Sequence, residues 1–157
     1  MKKLFLTVFF TASLSAAPQQ LPNSQLLVDN PGVWQHYEMD LGPVFGRSDV
    51  LLDDTGEKVI TFMTLPSNVD PGKLHQMLNG MRDSFKAQGA EYTDHKLMVN
   101  GQELQMLKTV ISAEGGVDHR VYVLHDKLMT LILFQVGDTD IDKPVYRNLI
   151  ASLSALK

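Results

Sequence analysis

The chain has 157 residues, 20% of them charged, with a formal net charge of −4 and no cysteine. A mildly acidic sequence without basic runs argues against nucleic acid or an anionic membrane surface as partner. Without thiols there is no disulfide, no cysteine chemistry and no lipid-bearing cysteine, so the domain must be stabilised by its own core.

Residues 1–17 carry the three parts of a secretory signal peptide in order. Lys2 and Lys3 are basic, Leu4 to Phe10 continue through Ala12 and Leu14 as an apolar run, and Ser15, Ala16 and Ala17 offer a peptidase site. A plain core helix would account for the apolar run but not for its charge and small-residue boundary. The run falls short of the ~18 residues that a spanning helix needs. The expected product is periplasmic or secreted, soluble, with no membrane span and no lipid anchor. The removed segment holds two lysines and no acid, so the charge changes from −4 to −6. The 140 residues that remain are expected to form one domain with a real core.

Residues 18–33, rich in Pro, Gln and Asn, read as a leader that is partly disordered, and residues 34–157 as a single α/β domain. Trp34 to Met39 is strand-like. Val50–Asp53 and Val59–Met63 flank Asp54-Thr55-Gly56-Glu57 and predict a hairpin. A helix follows, with Asp70 as cap, Pro71 at its first position, Gly89 beyond its end, and an apolar stripe of Leu74, Met77, Leu78, Met81 and Phe85.

Four strands then form a meander. Asn100-Gly101 is a type I′ signal, and Gly115-Gly116 and Asp126-Lys127 serve as two further tight turns. In the register these turns dictate, Val99 faces Gln102, Glu114 faces Val117 and His125 faces Leu128. One face then collects Leu97, Val99, Leu104, Met106, Val110, Val121, Val123, Ile132 and Phe134. The other collects Leu107, Ile111, Tyr122, Leu124, Met129, Leu131 and Leu133. A sheet with one wet face alternates apolar with polar residues, and this one is apolar on both. A last helix is expected behind Asp142 and Pro144, with Val145, Leu149, Leu153 and Leu156 on one side. The expected fold is α+β, a three-layer α/β/α sandwich whose antiparallel sheet has a helix on each face.

This order of elements resembles the PsbP-type fold, a superfamily that includes exported bacterial proteins of the DcrB kind. The resemblance spans Trp34 to Leu156. It rests on Val99-Asn100-Gly101 leading into a long strand, and on Tyr122 to Phe134 followed by Tyr146-Arg147-Asn148-Leu149-Ile150-Ala151-Ser152-Leu153. It implies a non-enzymatic accessory or binding domain without shared catalytic residues. The ion sites of the photosynthetic members have no matching positions here, and the lipid-bearing cysteine of a DcrB-type lipoprotein is missing.

No chemical motif outweighs its plainer alternative. Asp54-Thr55-Gly56 is similar to the catalytic loop of aspartic proteases, which share one proton between two aspartates. Glu57, however, stands where a small residue is usual, and a turn needs the same Asp and Gly. Among five histidines, His95 and His125 align with Met106 on one face. They lie two strands, about 10 Å, apart, too far for one metal between them. His119 falls further along, opposite Phe134. Gly-x-Ser-x-Gly and phosphate-loop patterns are absent, and the eight methionines suit core filling at helical spacing. The residues nominated for a partner contact are Trp34 and Tyr37, because Trp and Tyr are common interface anchors, although they also suit packing of the first strand. The expected function is a non-catalytic exported module that binds another envelope or secreted protein. The alternatives are a small-ligand-binding domain with a pocket between sheet and helix, or a hydrolase using Asp54. No metal or cofactor is expected.

Overall fold

Turn chemistry decides how this chain folds back on itself, and the fold follows it closely. The structure is a computed structural model that describes residues 18–137 and 143–157. The expected signal peptide, residues 1–17, and Asp142 lie outside the described residues. The elements are β1 (Gln19–Leu21), β2 (Leu26–Val28), β3 (Gln35–Asp40), β4 (Arg47–Leu52), β5 (Val59–Thr64), α1 (Gly72–Ala87), β6 (Glu91–Val99), β7 (Gln102–Ala113), β8 (Gly116–His125), β9 (Thr130–Gln135), α2 (Pro144–Ser152) and β10 (Ser154–Ala155). Strands β1, β2 and β10 form a small sheet with β2 in its middle. The others form a seven-stranded antiparallel sheet in the order β3-β4-β5-β9-β8-β7-β6. The fold is α+β, and no described helix is long and apolar enough to cross a membrane.

Asn100 and Gly101 both take positive φ, 50° and 74°, as a type I′ turn requires, and Val99 pairs with Gln102 as expected. The next two turns differ from expectation. Gly116 uses its positive φ of 129° as the last paired residue rather than inside the turn, so Ala113 pairs with Gly116 and Ser112 with Val117. After β8 the chain makes a one-turn 3₁₀ helix, Asp126–Leu128, and Met129 closes it in the left-handed region, its N–H bonded to the Asp126 carbonyl. His125 therefore pairs with Thr130, not Leu128.

Each correction moves the register by two residues. Side chains repeat every two along a strand, so no residue changes face. Leu97, Val99, Leu104, Met106, Val121, Val123, Ile132 and Phe134 belong to one buried cluster, together with Leu51, Ile60 and Phe62. Leu107, Tyr122, Leu124 and Leu131 belong to a second, with Met63 and Leu65. The exception is Val110, which is exposed.

Helix α1 places Leu74, Leu78 and Phe85 in the second cluster, with Met81 against it. Its start is held by the Asp70 carboxylate, which accepts the Gly72 N–H at 2.9 Å. Its end is a Schellman turn: Gly89 has φ +68° and the Ala90 N–H bonds to the Phe85 carbonyl at 2.9 Å. Helix α2 is shorter than expected. It stops at Ser152 and buries Tyr146, Leu149 and Ile150 in the first cluster, while Val145 is exposed. The chain then leaves the helix so that Ser154 and Ala155 can pair with Leu27 and Leu26 of β2.

Residues 18–33, expected as a partly disordered leader, are instead part of the fold. β1 and β2 pair, and Leu21, Leu26 and Val28 are fully or almost fully buried in the first cluster. The polar composition concealed three inward apolar residues on two strands of three residues each. Leu21→Ala is expected to cost about 2–5 kcal/mol, and an unchanged urea midpoint would show that this segment is no part of the core. Leu104→Asp and Leu131→Asp, on opposite faces, should each destabilise by about 3 kcal/mol or more. Wild-type stability in either variant would mean that its face is wet.

Candidate functional site

The nominated residues separate in the structure. Trp34, just before β3, is partly buried against the first cluster and clamped by Asn30, whose side-chain oxygen accepts the Trp34 N–H at 3.2 Å and whose amide donates to the Trp34 carbonyl at 2.7 Å. Tyr37, at an odd spacing from it, points to the opposite side of the sheet. It is 48% exposed, and its hydroxyl donates to Gln35 Oε1 at 2.6 Å. Trp34 thus packs in part on the core, and Tyr37 is the more exposed of the two.

Tyr37 sits on an open edge. β3 is the outer strand of the large sheet, and among the described residues no strand pairs with its far side. Its six residues pair without interruption to β4, and Met39, two residues on from Tyr37 and on the same face, is 47% exposed. Edge strands are commonly blunted by Lys, Pro or a bulge, and β3 has none of these. The opposite edge, β6, carries Lys96, and Arg147 of α2 donates to its Met98 carbonyl at 2.9 Å. Asn100, in the turn after β6, donates to the Ala151 carbonyl at 2.9 Å.

A group that the sequence reading overlooked fixes this edge from beneath. Asp49 of β4 is fully buried. One carboxylate oxygen accepts the Ser24 N–H at 2.6 Å; the other accepts the Asn23 amide at 3.2 Å and lies 2.7 Å from Nε2 of His36 on β3. The Ser24 hydroxyl donates to the Phe62 carbonyl. The signal was present: Asp49 has the same parity as Leu51, an inward position where a polar residue must find partners.

Asp54 lies in the exposed β4–β5 turn. Its neighbour Asp53 organises that turn, accepting the Glu57 and Lys58 N–H groups at 3.0 Å and the Thr55 hydroxyl at 2.9 Å. Desolvation opposes ionisation there, but these donors hold the Asp53 carboxyl below its ordinary range. His95 pairs with Met106 as expected, but Met106 pairs with Val123 on its other side, so the row His95–Met106–His125 does not exist. His119 faces Val110, and Val121 takes the place opposite Phe134. Among the described residues no group of three or more His, Asp or Glu could hold a metal ion.

A recess of about 450 Å³ lies at the end of the large sheet. Its walls come from the β1–β2 turn, Phe45, the segment after β5, the 3₁₀ turn and β10. It lies at the sheet's end rather than between sheet and helix.

His125 is buried, and its Nδ1 has no hydrogen-bond partner among the described residues. Desolvation pushes its pKa below the ordinary 6.5. The fold favours the neutral imidazole, whereas the unfolded chain takes up a proton as pH falls through about 6.5. The unfolded state then binds more protons, so stability should be full above that pH and decline below it. Urea midpoints between pH 7.5 and 5.5 should fall more steeply for the wild type than for His125→Leu. Equal slopes would show that His125 does not carry the effect.

No family model matches the sequence, and no curated protein matches it. Among solved structures, the chain is similar to the solution structure of cyanobacterial PsbP (CyanoP) from Synechocystis sp. PCC 6803. The TM-score is 0.52 and the identity 15%, over 91% of this chain and 95% of that one. At that identity the likeness speaks to architecture alone, and the architecture is clear: the chain has a PsbP-type fold.

Proposed function

We propose that the protein is a non-catalytic module, exported to the periplasm or beyond the cell after loss of residues 1–17, that binds an extended segment of another exported or envelope protein along β3. The observation that supports this reading is the asymmetry of the sheet's two edges. β6 carries Lys96 and has its Met98 carbonyl taken by Arg147, while β3 carries no Lys and presents Tyr37 and Met39, both half-exposed. Strand addition draws affinity from main-chain hydrogen bonds and specificity from alternate side chains. Asp40 on the same strand, beside Glu38 that pairs with Arg47 at 3.2 Å, favours a segment carrying Lys or Arg. The protein is read as soluble, with no lipid anchor and no bound cofactor.

The same proposal includes the three-layer arrangement, α1 on one face of the large sheet and α2 with the small sheet on the other. The two clusters, each holding residues of one helix and of one strand parity, support it. The hydrolase alternative has less behind it, since Asp54 stands in an exposed turn in the single Asp-Thr-Gly of the chain.

The test is site-specific crosslinking in the native envelope, with a photoreactive residue in place of Tyr37, Met39 or, as control, the exposed Asn79 of α1. One discrete adduct is expected from positions 37 and 39 but not 79, and Tyr37→Lys should abolish the adduct formed from position 39. No adduct at the edge, or the same adduct from position 79, would sink the proposal.

A further inference from the structure

The recess at the end of the sheet is built from chain segments far apart in sequence, and its walls are tied together. The chain contains three non-glycine residues of positive φ among those described: Gln25, Asn100 and Met129, at 55°, 50° and 51°. Asn100 is accounted for by its type I′ turn. The other two line this recess. Left-handed backbone is unfavourable for a glutamine and more so for a methionine, and such residues persist only where surrounding contacts over-determine them.

Both serve the same geometric purpose. The Gln25 carbonyl accepts the Leu156 N–H at 2.8 Å, joining the β1–β2 turn to the C-terminal segment. The Met129 carbonyl accepts the Leu65 N–H at 2.9 Å, joining the 3₁₀ turn to the end of β5. The Thr64 and Thr130 hydroxyls share a hydrogen bond of 2.7 Å across the same junction, and the neighbouring Ser24 is held by Asp49 and the Phe62 carbonyl. The recess is therefore pre-formed, which lowers the ordering cost of binding.

Its lining is mainly apolar: Leu26, Phe45, Leu65, Pro66, Leu128 and Met129. Among the described residues that line it, Lys127 alone is charged. A volume of about 450 Å³ is at the small end of the range for ligand sites. One ammonium point charge beside an apolar wall complements one negative charge on an apolar body. A phosphate dianion calls for more than one cationic donor, and a cation is disfavoured beside Lys127.

We propose that this recess binds a small apolar monocarboxylate, its carboxylate at Lys127 and its hydrocarbon against Leu26, Phe45 and Leu128. The site is separate from the β3 edge, so its failure would leave the protein-binding reading intact, and the reverse.

The test uses calorimetric titration of the chain from residue 18 with octanoate, octylamine and octanol, which carry eight carbons each and bear anionic, cationic and neutral head groups. Octanoate should bind one to one, and octylamine about tenfold more weakly or not at all. Lys127→Gln should weaken octanoate about fivefold or more and leave octanol unchanged, as expected for loss of one partly exposed charge pair. Ser67→Trp, at an exposed position in the wall, should block all binding while the urea midpoint stays at the wild-type value. No octanoate binding at millimolar concentration, equal binding of octylamine, or binding insensitive to both substitutions would overturn the proposal.

Discussion

A seven-stranded sheet that is apolar on both faces is the constraint from which the rest of this molecule follows. The sixteen residues of α1 bury Leu74, Leu78 and Phe85 in one cluster. The nine residues of α2 bury Tyr146, Leu149 and Ile150 in the other, and Leu21, Leu26 and Val28 of the small sheet share that cluster. β2 pairs with β1 on one side and with the C-terminal β10 on the other, so the short helix is extended by backbone hydrogen bonds rather than by more helix.

Asp49 shows how the extra layer is located. A carboxylate buried among apolar side chains is costly unless donors surround it. Two of its donors, the Ser24 N–H and the Asn23 amide, belong to the turn between β1 and β2, and His36 closes the set from the edge strand. Apolar contacts alone would let a three-residue hairpin slide over the sheet, because they are non-directional. Hydrogen bonds to a fixed carboxylate select one position. The interaction thus joins the leader, β3 and β4 at one point, beneath the edge where Tyr37 is displayed.

The parts of this fold that were legible in the sequence are those carried by periodicity over many residues. The stripe of α1 and the two parities of the meander survive even where turns were misjudged, since an error of two residues restores every side chain to its face. Gly115-Gly116 left two frames open for one turn, and Asp126-Lys127 concealed a 3₁₀ turn whose closing residue is a left-handed Met129, which no propensity suggests. Strands of two or three residues, such as β1, β2 and β10, are too short for alternation to mark. Leu153 and Leu156 continued a helical spacing that the pull of β2 interrupts. Tyr146 was overlooked as a core residue, though it packs edge-on against Phe134 at 5.7 Å between ring centroids. Asp49 was readable from its parity and was missed because no motif contains it.

The candidate interface was legible as residues but not as a place. Tyr37 stood out by chemistry, yet nothing local says that its strand lies at an edge. That depends on a single long-range choice, the pairing of β5 with β9, in which Ile60 meets Phe134 and Thr61 meets Leu133 across more than seventy residues of chain. With β5 taken on both sides by β4 and β9, the hairpin's first strand is committed to the interior, and β3 becomes the outermost strand. The opposite end of the sheet is settled by α2, whose return brings Arg147 to the Met98 carbonyl. At that edge the short helix occupies one strand carbonyl, and β3 has no such contact from a helix among the hydrogen bonds described. Edge exposure here is a property of topology, which is why a search for spacing patterns finds the aromatic ring and not its place at an edge.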